Sequence, residues 1–148
     1  FEPKRIQIVP HPKVAGQLCR TSIGESVWDK PVADALENTK LLITDYSSTC
    51  YNAFYQGAAV IFYQPDLMLY EKEVGKLIPE ENEYIGYRVF TDKDLDELIK
   101  SCIRKNGRID LKQLRNKEFV NRYQQINKYN DGKNVERIVD VLVDKGII

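Results

Sequence analysis

The sequence predicts an α/β domain, a parallel sheet with helices on both faces. Two runs, Leu41-Leu42-Ile43-Thr44 and Ala58 to Tyr63 (AAVIFY), are continuously apolar, as strands covered on both faces are. Segments of helical character separate such runs at the spacing of βα units. Of the 148 residues, 43% are hydrophobic and 30% charged, which suits one domain with a real core rather than a disordered tail.

Each element has its own signal. Arg5-Ile6-Gln7-Ile8-Val9 reads as a strand that ends at Pro10-His11-Pro12, where proline stops ladder pairing. Lys13 to Cys19 is a short polar or helical stretch. Val32 to Leu36 forms a short helix begun by Pro31, whose missing N–H costs nothing in a first turn. After the Leu41 to Thr44 strand, Asp45-Tyr46-Ser47-Ser48-Thr49 is a turn rich in capping residues. It opens a helix through Gln56 that Gly57 ends, and Ala58 to Tyr63 follows as the next strand. Asp66 caps a helix to Val74, Lys76 to Tyr87 is a long acidic loop, and Arg88-Val89-Phe90 is a short strand. Thr91 or Asp92 caps an amphipathic helix with Leu95, Leu98, Ile99, Cys102 and Ile103 on one stripe. Two more helices run from about Leu111 to Asn127 and from about Asn134 to Asp144. The whole is a single Rossmann-like domain over residues 1–148, without repeats or low-complexity tracts.

Charge and cysteine usage exclude several functions. Lys plus Arg and Asp plus Glu both total 22, so the net charge is zero and a dedicated nucleic-acid binder is not expected. No apolar run approaches the ~18–20 residues of a membrane span, and no signal peptide opens the chain. Cys19, Cys50 and Cys102 are odd in number and lack CxxC spacing, which predicts reduced thiols rather than disulfides or a zinc site. Because it starts at Phe1 and enters a strand almost at once, the chain reads as a piece of a longer protein.

In open parallel sheets, ligands bind outside the carboxyl ends of strands. Asp45-Tyr46-Ser47-Ser48 reaches that edge after one strand, and Pro10-His11-Pro12 after another. At Ser47 and Ser48, free backbone N–H groups, two hydroxyls and a helix start converge, which suits a phosphate or diphosphate. The alternative is that Asp45 and the serines only cap the helix. His11, the single histidine, is held between two prolines; it either acts as general acid–base and phosphate partner or is structural. Lys13 would add positive charge beside it. Asp92-Lys93-Asp94 and Asp94-Leu95-Asp96 both spell DxD, but as cap and first-turn acids they fit the helix dipole better than a metal, so no metal is expected. From Arg104 to Lys133, nine basic residues face three acids, either as a solvated helix face or as a foothold on an anionic surface.

LLITDYSS (Leu41 to Ser48), VIFYQPDLMLY (Val60 to Tyr70) and YNDGKNVERIV (Tyr129 to Val139) together resemble the carboxyl-terminal half of CDP-glycerol glycerophosphotransferases, the teichoic-acid primases and polymerases. The histidine-proline pair at His11 matches a family motif at the corresponding distance upstream. The resemblance implies a GT-B-like enzyme of two Rossmann-like halves, of which this chain is the donor-binding half. It implies transfer of glycerol phosphate from CDP-glycerol to a hydroxyl acceptor on a lipid-linked polymer, without a cofactor. The location implied is the cytoplasmic side, peripheral on the inner face of the membrane. Carried over by position, His11 would lie near the donor phosphates, Ser47 and Ser48 would hold the diphosphate with Lys13 nearby, and Asp45 would stand beside them. Asp66 would contact a donor hydroxyl or cap its helix. Gly132 and Lys133, in the Asp131-Gly132-Lys133 turn, would approach the donor or form an ordinary turn. Asn52, Ala58-Ala59 and Ile85-Gly86-Tyr87 depart from the family's aspartate, Lys-Pro pair and Pro-Gly-Pro loop. These departures leave CDP-ribitol or a capsule-type donor open. Two other readings remain: a non-catalytic nucleotide-binding or partner-docking module, and half of a UDP-sugar glycosyltransferase or epimerase.

Overall fold

A computed structural model describes residues 6–148. Its centre is a three-stranded, all-parallel sheet of β1 (Leu41–Thr44), β2 (Ala59–Tyr63) and β3 (Tyr87–Val89), in the order β1-β2-β3. Leu42 pairs with Val60, and Phe62 with Arg88. The middle strand is buried on both faces, and the alternation of its side chains divides the core. Val60 and Phe62 point to one side, where they pack with Cys50 and Phe54 of α3 (Thr49–Tyr55) and with Phe119 and Tyr123 of α7 (Lys117–Ile126). Ala59 and Ile61 point to the other, against Leu95, Leu98 and Ile99 of α5 (Asp92–Ser101) and Leu111 and Leu114 of α6 (Leu111–Leu114). This two-sided cover is the expected Rossmann-like arrangement. Four helices complete the described chain: α1 (Pro12–Leu18), α2 (Val32–Glu37), α4 (Leu67–Val74) and α8 (Asn134–Asp144).

Local chemistry fixes the ends of α3 and α5. Gly57 adopts φ 95°, and the Gly57 and Ala58 N–H groups donate to the Phe54 and Ala53 carbonyls at 3.0 Å each, a Schellman stop that turns the chain into β2. Ala58 is fully buried against Leu36 and Ala53. Thr91 caps α5 by accepting from Asp94 N at 3.1 Å.

Two expectations need correction. The helix read from Leu111 to Asn127 is broken at Arg115-Asn116. There Asn116 accepts from Phe119 N at 3.1 Å and so begins α7 as a new helix. The strand expected from Arg5 to Val9 is, within the described residues, a single parallel bridge between Ile8 and Val27; Arg5 lies outside them. Ile8 N donates to Ser26 O and accepts through its carbonyl from Trp28 N, both at 2.8 Å, before Pro10 ends the pairing.

Candidate functional site

β1 and β2 end at one edge of the sheet, and a cavity of about 90 Å³ opens there. Its lining brings together Asp45, Ser47 and Ser48 of the turn, Phe62 and Gln64 at the end of β2, and Leu77 to Pro79 with Tyr84. The serine turn has already spent part of its hydrogen-bonding capacity. Ser47 Oγ accepts from Thr49 N at 3.3 Å and donates to Thr49 Oγ1 at 2.9 Å. Cys50 N and Tyr51 N donate to the Ser47 and Ser48 carbonyls. Among the described residues, that leaves the Ser48 hydroxyl and the Ser47 and Ser48 N–H groups without a protein partner. Both serines are exposed. Three unengaged donors on adjacent residues at a strand's carboxyl end can hold one phosphate group. The cavity is too small to enclose a whole nucleotide, because ligand pockets ordinarily measure roughly 300–1,000 Å³.

Two clamps hold the turn. On one side Tyr46 stacks on Tyr70 of α4, with ring centroids 3.7 Å apart, and its hydroxyl donates to Asp66 Oδ1 at 2.8 Å. Burial and the neighbouring Asp66 raise the Tyr46 pKa, so the phenol stays protonated and keeps donating. Asp66 occupies the cap position of α4 but accepts no capping bond. Its carboxylate instead joins the two sequence motifs, a use that neither the capping nor the donor-contact expectation foresaw. On the other side the buried Gln64 donates through Nε2 to the Asp45 carbonyl at 3.2 Å, while Asp45 Oδ1 accepts from Tyr46 N at 2.6 Å. Cys50, beneath the cavity, has its thiol pKa pushed up to about 11 by burial, so it is no nucleophile at neutral pH.

His11 is the N-cap of α1: its Nδ1 accepts from Lys13 N at 3.2 Å. This bond fixes the tautomer, leaving the proton of a neutral ring on Nε2. Neither His11 nor Lys13 is among the residues that line the serine cavity. In the Asp131-Gly132-Lys133 turn, Gly132 has φ 74°, which only glycine adopts readily. Asp131 accepts from Lys133 N at 3.1 Å and from both terminal nitrogens of Arg137, so the Lys133 amide is already spent.

The sheet edge, the serine turn and the tyrosine clamp all fall inside a match, over residues 5–144, to the family CDP-Glycerol:Poly(glycerophosphate) glycerophosphotransferase. The chain belongs to this glycerophosphotransferase family. No curated relative and no solved structure matches it.

Within this glycerophosphotransferase-family chain, the acids of the DxD repeats are engaged by protein side chains, one of them on β2. Asp92 accepts from the Tyr63 hydroxyl, Asp94 from the Thr91 hydroxyl at 2.7 Å, and Asp96 pairs with Lys100 at 2.5 Å. The basic segment is partly neutralised: Arg104 pairs with Asp110 at 2.9 Å, and Arg122 with Glu118. Arg115 lies over the Phe54 ring at 3.8 Å, and burial lowers its pKa. Among the described residues, no helix is long and apolar enough to cross a membrane.

Sequence reasoning missed Gln64, Arg88, Tyr46 and Tyr70. Gln64 was within reach, since it follows β2 in phase with Val60 and Phe62 and is therefore a polar residue aimed into the core side. Arg88 was a charged residue inside a short buried strand, which requires a partner.

Proposed function

We propose that this chain binds the nucleotide donor of a glycerophosphotransferase, with a donor phosphate at the serine turn. The three unspent donors of Ser47 and Ser48, at the carboxyl end of β1 in a chain of this family, carry that reading. The donor is CDP-glycerol or a related CDP-alditol, and only its phosphate enters the small cavity; the nucleoside lies over the surrounding surface. The acceptor is a hydroxyl on a lipid-linked polymer such as a teichoic acid, met on the inner membrane face. The second half of the enzyme comes from elsewhere in the same polypeptide.

In the reaction, an acceptor oxygen attacks the phosphorus that carries glycerol. The bond from that phosphorus to the CMP oxygen breaks, and the acceptor proton passes to a base. Positioning and charge stabilisation supply most of the catalysis in such transfers. Ser48 Oγ–H and the two N–H groups would take up charge growing on the phosphate oxygens. His11 Nε2–H would donate to a donor oxygen outside the cavity, with Lys13 beside it. Lys133 would contribute only its ammonium, because its amide belongs to Asp131.

Titration with CDP-glycerol, CDP-ribitol, UDP-sugars and CMP tests the reading. CDP-alditol binding weakened about tenfold by Ser48→Ala is the expected result, the worth of one hydrogen bond to a charged group. Binding of none of these compounds, or UDP preference, would remove it.

A further inference from the structure

Gln64 is the polar side chain buried deepest among the described residues, at 1% exposure. Its orientation is determined by chemistry rather than by packing. Arg88 carries only donors, and its Nε lies 2.8 Å from one end of the Gln64 amide, so that end is the oxygen. The nitrogen end therefore faces the Asp45 carbonyl and donates to it. Arg88 is in turn fixed by its surroundings: it stacks over Tyr84 at 4.2 Å and Phe90 at 5.0 Å and pairs with Glu81. Tyr84 and Asp45 both line the small cavity, and Asp45 leads into the serine turn. One guanidinium and one amide thus tie two parts of the cavity lining together, the Asp45 carbonyl and the Tyr84 ring.

We propose that Gln64 and Arg88 are a positioning pair that sets the width of the serine-turn cavity and the aim of its phosphate-binding donors. Neither residue touches the donor; they act through the Asp45 carbonyl and the Tyr84 ring. The proposal rests on the reading of that cavity as the donor-phosphate site.

Gln64→Glu is the discriminating variant. It keeps size and burial, and its carboxylate remains a partner for Arg88, but it sets an acceptor against the Asp45 carbonyl. Arg88→Gln is the second variant; it leaves Gln64 in place and frees its amide. Three measurements are made on each: the urea midpoint, amide exchange at Tyr46 and Thr49, and affinity for CDP-glycerol. In both variants exchange at Tyr46 and Thr49 should quicken about tenfold, while amides of β2 keep their rates. Affinity for CDP-glycerol should fall about tenfold, and the urea midpoint of Gln64→Glu should drop as well, because its buried carboxylate faces a carbonyl, while the protein stays folded. Unchanged exchange at the turn in both variants overturns the proposal, and so does quickened exchange with unchanged affinity. A parent that binds no CDP compound sinks the donor reading instead; the exchange result then still decides whether the pair orders the turn.

Discussion

Of two cavities that share a side of the sheet among the described residues, the larger is the poorer candidate. The larger, about 690 Å³, lies between β3 and α7 and shows two guanidiniums, Arg88 and Arg122, that look ready for an anion. Both are spent. Arg88 serves Gln64 and Glu81, and Arg122 donates to the Tyr84 carbonyl at 2.9 Å and pairs with Glu118. Asn116, on the same wall, accepts from Phe119 N and donates to the Tyr87 hydroxyl at 3.4 Å. The smaller cavity offers about an eighth of the volume but keeps three donors unengaged at a strand's carboxyl end. Where the cations are already paired, empty space is a weaker sign of an anion site than amides and a hydroxyl left unengaged at a strand's carboxyl end.

The strongest way to break this comparison is to displace the segment that meets both cavities. Tyr84 lines both, and Gly86, which lines the larger, sits between the buried Ile85 and the half-buried Tyr87. A Cβ on Gly86 would lie 2.8 Å from the Val60 carbonyl carbon, in the backbone of the central strand, which cannot yield. Gly86→Ala should therefore cost ~3 kcal/mol in urea unfolding and abolish donor binding with it. A parent-like midpoint would mean that β3 is not pressed on β2 as described.

A crossed pair of variants separates the cavities more finely. Ser48→Ala should weaken CDP-glycerol binding about tenfold and leave the urea midpoint unchanged, since the hydroxyl has no protein partner. Arg122→Met should do the reverse. It forfeits the bond to Tyr84 and costs ~1 kcal/mol of stability, while donor affinity stays within about twofold. Donor affinity lost in Arg122→Met alone would move the site to the larger cavity.

Asp66 sharpens the comparison from a third direction. The family resemblance makes it a donor contact, whereas its carboxylate is engaged by Tyr46. Tyr46→Phe keeps the ring stack on Tyr70 and deletes only that bond, so stability should fall by ~1 kcal/mol. If Asp66 only clamps, Asp66→Asn lowers donor affinity no further than Tyr46→Phe does, as equilibrium titration of both variants would show.

The sequence carried the layers of the fold but not the wiring between them. Apolar runs at 41–44 and 58–63 announce strands because burial on both faces demands continuous hydrophobicity, and Gly57 marks the helix end because positive φ demands glycine. The first strand was less legible. Its pairing with Val27 is one bridge long, and Val27 lies in a stretch with no strand periodicity. The break at Asn116 was missed because helical periodicity continues across it, while the interrupting bond is a side chain to a backbone amide. Within the site, the serine turn was legible from its motif. The Gln64–Arg88 bond joins residues 24 apart in sequence, and Tyr46–Asp66 joins residues 20 apart; no local pattern encodes such meetings.

The smallest expected effect lies outside both cavities, in the turn before α8, and it applies the same distinction between engaged and unengaged groups. Asp131 has about half its side chain exposed, yet two bonds from Arg137 and one from the Lys133 amide hold its pKa well below the usual carboxylate value. The folded pKa lies under the unfolded one, so between the two the unfolded chain binds more protons and stability rises with pH. The contribution of this turn is complete above the ordinary value of about 4 and is lost as pH falls through the folded value. The N-terminal turn of α8 should thus loosen under acid conditions before the sheet does. Amide exchange at Lys133, followed from pH 5 downward, should quicken in the parent, with intrinsic rates divided out. In Arg137→Met, which removes the main cause of the low pKa, the same quickening should begin at higher pH. If the onset does not move, the pair is solvated in solution, and the turn would then have its carboxylate available to a ligand, as the serine turn has its hydroxyl.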